Sequence, residues 1–254
     1  MTRPVIRVRD GRFGYRNHVA VEADLVVEAA EIVALLGPNG SGKTTLLKGM
    51  LGLVERLGGE VELFGQPIRE FSDRSLIGYL PQRQTAAGPI PVTVGELVRS
   101  GRLARRGLAR PRTRRDEQAV LDAIGAVGLL DKASAPVATL SGGQQRRALV
   151  ARALASGAEV LLLDEPLAGV DQTNQAALAD TLHALVPAGV TIIVVLHELG
   201  PLEPLVTRAV CMDAGRVLFD GPLADTPPRL LHLGHDHDPH GGEGGRAGMG
   251  LFPR

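Results

Sequence analysis

The chain has 254 residues, 28 of them basic and 28 acidic, with a formal net charge of +0 and 44% hydrophobic residues. That length suits one large domain, or a core domain with a smaller lobe, and the balanced charge gives no field that favours nucleic acid. One cysteine, Cys211, excludes an intrachain disulfide framework, and no apolar run reaches the ~20 residues that span a bilayer.

The N-terminal run MTRPVIRVRDGRF lacks the apolar stretch of a signal peptide, so the expectation is a cytosolic chain, or one held at a membrane by another molecule. From Val5 to Leu36, β-branched and apolar runs such as VIRVR and EIVALL alternate with turns and predict strands, some antiparallel. EIVALL leads straight into GPNGSGKTTLLKGMLGL, a glycine loop followed by a helix that starts near Lys43. EVELFG and LIGYLPQ predict two more short strands. From Val92 to Ala138 the period becomes helical, in VTVGELVRSGRL and RRDEQAVLDAIGAVGLL. The segment GRLARRGLARPRTRR between them, basic and broken by proline, reads as a surface loop.

Beyond Leu140 helix and strand alternate: QQRRALVARALA, VLLLDEP, QTNQAALADTLHALV and TIIVVLHE. Such alternation predicts a parallel sheet with right-handed crossovers. RAVCMDAGRVLFDG predicts a closing hairpin around Ala214 and Gly215, with Cys211 as a small core residue. From Asp236 onward glycine and proline dominate and the expectation is disorder.

Two stretches carry phosphate chemistry. GPNGSGKT, comprising Gly37, Pro38, Asn39, Gly40, Ser41, Gly42, Lys43 and Thr44, with Thr45 after it, fits the pattern G-x-x-x-x-G-K-[ST] between a buried strand and a helix. Its glycines let backbone N–H groups turn inward on a polyphosphate, and the helix N-terminus adds a positive dipole end. Lys43 can reach the β- and γ-phosphates, and the Thr44 hydroxyl can ligate Mg²⁺. In VLLLDEP, Asp164 ends a buried strand where it can hold Mg²⁺, and Glu165 can act as general base toward an attacking water.

LSGGQQRR, from Leu140 to Arg147, is the run through which the chain resembles the ATP-binding cassette (ABC) family, whose signature is LSGGQ. The resemblance covers roughly Val5 to Leu223. It implies an α/β fold: a P-loop NTPase core with a mixed or parallel sheet, an antiparallel β subdomain and a small α-helical subdomain. The ATP-binding domain is then residues 1–230, with the helical lobe at about 90–140 and a His/Gly-rich tail at 231–254. Carried over by position, Tyr15 resembles the aromatic that stacks on adenine, with Phe13 the competing stacker. Gln82 resembles the glutamine that joins the Mg²⁺ and water site to the helical lobe. Asp171 is similar to the residue that links two sites across a dimer, and His197 to the histidine that contacts the γ-phosphate. Ser141, Gly142, Gly143 and Gln144 form a second phosphate-facing helix start. The resemblance implies a head-to-tail homodimer in which this loop covers the Lys43 loop of the other subunit, with ATP and Mg²⁺ between. Three departures stand out: Ala30 where the family often has glycine, Leu167 after DEP where threonine or phenylalanine is more usual, and Glu198 after His197 where aspartate is commoner.

With one cassette and no long coiled-coil insertion, the chain resembles the ATPase subunit of a transporter. Its partners are then separate polytopic permease subunits and an extracytoplasmic solute-binding protein, with no nucleic acid, and its place is the cytoplasmic face of the plasma membrane. The spelling of YLPQR and LLGPNGSGKTTLLK resembles the zinc and manganese importer branch. The alternatives are an importer of iron-chelate or cobalamin type, or a soluble non-transport ATPase. The tail adds His232, His235, His237 and His240, interleaved with Asp236 and Asp238. No spacing among them matches a closed zinc site, so the expectation is a solvated tail, with a weak transition-metal site at these histidines as the alternative.

Overall fold

β1 (Pro4–Tyr15) and β2 (His18–Glu28) form a long antiparallel pair. Arg16 and Asn17 close it with φ of 49° and 63°, the two positive angles of the primed turn whose twist suits a hairpin. A computed structural model describes residues 3–82, 91–106 and 111–231. β3 (Ile32–Leu36) is buried at all five positions, as a parallel strand covered on both faces must be. The glycine loop then delivers α1 (Lys43–Met50), after which β4 (Glu55–Leu63) pairs with β1 and β5 (Gln66–Pro67) extends that edge.

β6 (Ile77–Leu80) leads to three helices: α2 (Val94–Arg106), α3 (Arg114–Ala126) and α4 (Gly142–Ser156). There follow β7 (Val160–Asp164), α5 (Gln172–Leu185), β8 (Thr191–Val195), the hairpin of β9 (Arg208–Asp213) and β10 (Arg216–Pro222), and a short α6 (Pro228–Leu231). The ten strands among the described residues share one sheet in the order β5-β4-β1-β2-β10-β9-β3-β8-β7-β6. β9, β3, β8, β7 and β6 are parallel, so the anticipated mixed sheet and α/β class are both present. The antiparallel half joins the parallel half through one ladder pair, Arg216 with Glu22.

Alternation along the parallel strands divides the core in two. Ala34, Leu36, Leu161, Leu163, Ile192 and Val194 face the helices α2 to α5. Val33, Leu35, Leu162, Ile193 and Val195 face α1. Leu46, Leu47 and Met50 of α1 are fully buried between the two halves of the sheet, each stabilising by about 1.5–3 kcal/mol relative to exposure. That packing holds the start of α1 at the carboxyl ends of the parallel strands.

The basic stretch from Gly101 to Arg115 corrects the surface-loop expectation at its two ends, while Pro111–Thr113 is exposed and irregular as that expectation had it. α2 runs on through Arg106 and α3 begins at Arg114. Arginine is a good helix former, and Pro111 stands two residues before the Thr113 cap rather than inside either helix. Arg102 is also committed: it donates to Asp116 at 2.7 and 2.9 Å and to the Ala155 carbonyl, at the end of α4, at 2.9 Å. The tail histidines His232, His235, His237 and His240 lie outside the described residues.

Candidate functional site at the carboxyl ends of the strands

The loop between β3 and α1 requires its glycines. Gly37 has φ +144°, and a Cβ there would sit 2.1 Å from the Met212 carbonyl oxygen. Gly42, at the start of α1, has φ +99°, and a Cβ there would meet Val21 at 2.5 Å. α1 has no side-chain cap. Asn39 and Gly40 form the exposed lip, with Pro38, Thr44 and Thr45 half-buried behind it. Lys43, only 5% exposed, folds over the loop and donates to the carbonyls of Gly37 at 2.7 Å and Pro38 at 2.8 Å. Burial pushes its ammonium below the ordinary range, opposed by the Glu165 and Asp164 carboxylates. The Ser41 hydroxyl is buried with no partner. A glycine cradle with an orphaned hydroxyl and a buried cation fits a polyphosphate.

Asp164 closes β7 at 3% exposure and accepts from the Thr44 hydroxyl at 2.8 Å. Burial raises its pKa, with the Thr44 hydrogen bond opposing. An all-oxygen pair of this kind fits Mg²⁺. Glu165 follows with φ +49°, a left-handed conformation that costs a non-glycine residue about 1–2 kcal/mol. Its N–H donates to the Val195 carbonyl at 3.1 Å. On the other side Arg146 of α4 donates to the carbonyls of Glu165 at 3.1 Å, Ala168 at 2.7 Å, and Pro166. The backbone is therefore locked from two directions. The Glu165 carboxylate accepts from the Gln82 amide on one oxygen, and His197 Nε2 lies 2.9 Å from the other. Beside it, a cavity of about 550 Å³ is lined by Leu167, Ala168, Gln175 and Leu196.

Lys43, Thr44, Asp164, Glu165, Gln82 and His197 thus lie together at the carboxyl ends of the parallel strands. The Ser141 loop does not join them. Ser141 caps α4, accepting from the Gln144 N–H, while the Gln144 side chain accepts from the Ser141 N–H. Gly142 is exposed and Gly143 is buried against Asn174. Asp171 caps α5. Among the described residues no hydrogen bond connects Ser141–Gln144 with Gly37–Thr45. Tyr15 is 53% exposed, whereas Phe13 is 0% exposed with its ring 2.5 Å from a Cβ built on Gly49. Phe13 is therefore a core residue, and the alternative stacker falls away.

Three residues here escaped the sequence reading. Arg146 clamps Glu165, and its only signal was a place one turn into the LSGGQQRR helix. Tyr79 puts a buried, unpartnered hydroxyl near Asp164, its pKa pushed up to about 12 mainly by burial. Asn174 stands between Ser141 and Asp171, and nothing in QTNQAAL singles it out.

Residues 21–168 match the family described as ABC transporter. The chain is 34% identical over 205 residues to the manganese transport system ATP-binding protein MntB of Bacillus subtilis, covering 81% of each. It is 35% identical over 220 residues to the zinc uptake system ATP-binding protein ZurA of Listeria innocua, covering 85% of each. Over 226 residues it is 36% identical to the chelated iron transport system membrane protein YfeB of Yersinia pestis, covering 88% of this chain and 76% of that one. Among solved structures, an ATP-binding cassette of an ABC transporter in its ADP conformation superimposes with a TM-score of 0.78. It is 20% identical, covering 91% of this chain and 98% of that one, and supports the fold.

Proposed function

The chain belongs to the ABC transporter family as an ATP-hydrolysing subunit, and from that premise we propose how its residues divide the work and what the engine moves. The observation that carries the reading is the contact chain Thr44–Asp164 and Gln82–Glu165–His197, assembled beside a buried lysine. The Gly37–Thr45 loop and Lys43 bind the β- and γ-phosphates of ATP, and Tyr15 stacks on the adenine. Thr44, Asp164 and Gln82 hold Mg²⁺, which when bound neutralises charge on the phosphate oxygens. Glu165 orients a water molecule and takes its proton as the oxygen attacks the γ-phosphorus and the bond to the bridging oxygen breaks, leaving ADP and phosphate. His197, already within reach of Glu165, couples that carboxylate to the γ-phosphate.

The Ser141–Gln144 loop and Asp171 act on the ATP of a second copy, in a head-to-tail homodimer that closes on ATP and opens after hydrolysis. What supports this is their separation from the Lys43 loop within one subunit. The described residues contain no helix long and apolar enough to cross a membrane, and the proposed partners are separate permease subunits and an extracytoplasmic solute-binding protein. On this reading the subunit sits peripherally at the cytoplasmic face of the plasma membrane. The cargo we propose is a divalent transition metal, zinc or manganese, supported by the likeness to MntB and ZurA. The likeness to YfeB keeps chelated iron as the second reading.

Glu165→Gln tests the chemistry: it is expected to bind ATP, dimerise on it, and hydrolyse it at least 100-fold more slowly. Wild-type turnover would overturn the role of Glu165. The zinc, manganese and iron contents of cells lacking the gene test the cargo, and no change in any of the three overturns the metal reading.

A further inference from the structure

Asn174, in the first turn of α5, touches both elements that the proposed dimer turns toward its partner. Its backbone N–H and side-chain amide donate to the two oxygens of Asp171, at 3.1 and 2.6 Å. Its side-chain oxygen accepts from the Ser141 hydroxyl across a long 3.4 Å contact. A Cβ built on Gly143 would lie 2.4 Å from the Asn174 Cβ and 2.7 Å from its side-chain oxygen, so the Asn174 side chain packs flat against the signature backbone. Ser141 belongs to α4 and Asp171 to the loop after β7, and Asn174 is where the two interlock by side chain.

The hydrogen-bond inventory gives this contact a direction. A serine hydroxyl has one proton to donate and two lone pairs to accept with. In this subunit the Ser141 oxygen accepts from the Gln144 N–H at 3.3 Å and its proton goes to Asn174. That arrangement fixes the hydroxyl rotamer while committing the proton to a weak, easily exchanged acceptor. A phosphate oxygen is a stronger acceptor than an amide, so the proton can transfer its allegiance without any rebuilding of the loop. Asp171 meanwhile keeps both oxygens held, and its pKa is lowered by the Asn174 amide.

We propose that Asn174 is a positioning residue that locks Ser141 and Asp171 of one subunit into a single rigid docking face for the partner's ATP. The proposal rests on the head-to-tail dimer reading. Its effect falls on ATP-driven association and not on the capture of ATP by the Lys43 loop.

The test uses the full chain in the Glu165→Gln background, with Mg²⁺ and ATP, and reads dimerisation by sedimentation. Asn174→Ala is expected to raise the protein concentration for half-dimerisation about tenfold, the scale of one lost hydrogen bond with its ordering. ATP affinity measured below the dimerising concentration stays within twofold. Adding Asn174→Ala to Ser141→Ala plus Asp171→Ala is expected to cost nothing further, because Asn174 acts through those two residues. Unchanged dimerisation, or a loss of the same size in both backgrounds, overturns the proposal. Where Asn174→Ala lowers Tm, Asn174→Asp keeps the shape but loses the donor to Asp171, and parental dimerisation of that variant overturns it equally. Absence of ATP-driven dimerisation in Glu165→Gln itself overturns the dimer reading beneath it.

Discussion

Two helix N-termini in this molecule carry glycines, α1 just after the Gly37–Gly42 loop and α4 at its own first two residues, and they are finished in opposite ways. α1 starts from Gly42 with no side-chain cap, behind a buried lysine and an orphaned serine hydroxyl. α4 starts from Ser141 in a closed capping box with Gln144. An uncapped start leaves its N–H groups for a ligand, and a capped one satisfies itself. The first is anchored between the halves of the sheet by Leu46, Leu47 and Met50. The second stands at the surface, steadied by Arg146, Asn174 and, at its far end, Arg102. On the proposed reading, the first end captures ATP within its own subunit and the second meets ATP presented by a second copy.

The largest expected effect breaks the first end. Lys43→Ala removes the only buried cation of the loop, together with its bonds to the Gly37 and Pro38 carbonyls. ATP affinity is expected to fall ~100-fold or more, the scale of two charge-assisted hydrogen bonds. Calorimetric titration of the monomer reads it, and retained affinity removes Lys43 from the site.

Gly143→Ala breaks the second end while sparing the first. The added methyl would lie 2.4 Å from the Asn174 Cβ, so the signature loop or α5 must shift. Hydrolysis is expected to fall roughly 10- to 100-fold, because a displacement of about 1 Å in a positioned group has that consequence. Monomeric ATP affinity stays where it was. Gly142→Ala sharpens the contrast, since a Cβ there meets nothing within 4 Å in its own subunit. Its Tm is expected to be unchanged, so any loss of activity reports a contact from the partner. A Tm fall in Gly142→Ala as large as in Gly143→Ala contradicts the assignment.

What the sequence disclosed follows this same division. Gly37–Thr44, Asp164 and Glu165 could be singled out because each is a residue type that phosphate chemistry uses, at the end of a readable strand or loop, whereas Gln82 and His197 came only from the resemblance to the ABC family. Asn174 and Arg146 could not be, because an amide one turn into a helix or an arginine in a basic helix has many ordinary roles. Their roles come from which carbonyls and hydroxyls the fold sets opposite them. The two ends of the basic stretch were misread for a related reason. Seven arginines and a proline suggest a solvated loop, but the partners that make Arg102 structural, Asp116 and the Ala155 carbonyl, lie 14 and 53 residues away. Burial also separated Phe13 from Tyr15, two aromatics that composition cannot distinguish.

The far anchor of α4 gives the stability of the fold a pH dependence. Thr113 and Arg102 hold the Asp116 carboxylate down at about 2, below its ordinary 3.8. A depressed carboxylate stabilises the fold above its unfolded value and loses that contribution as pH falls through the folded one. Asp116→Asn is therefore expected to lower Tm at pH 5 and above, with the gap to wild type closing between pH ~4 and ~2. Thermal midpoints across that range read it, and a constant gap would show that the charge of Asp116 is not what matters.

The smallest expected effect lies away from both ends and calibrates the others. Ala30, between β2 and β3, has φ +64° and donates its N–H to the Thr191 hydroxyl at 2.9 Å. An alanine in that conformation costs about 1–2 kcal/mol, and a glycine there loses ~0.5–1 kcal/mol of that advantage to unfolded-chain entropy. Ala30→Gly is thus expected to stabilise by ~0.5–1 kcal/mol, raising Tm by roughly 1–4 °C in a domain of this size. The strain sits in a turn that contacts neither Lys43 nor Ser141 among the described residues. ATP affinity and ATP-driven dimerisation should therefore both be unaltered by it. A Tm rise with unchanged ATP affinity and dimerisation separates global stability from the geometry of the two helix starts. A change in one of them alone would mean that the β2–β3 turn communicates with that end.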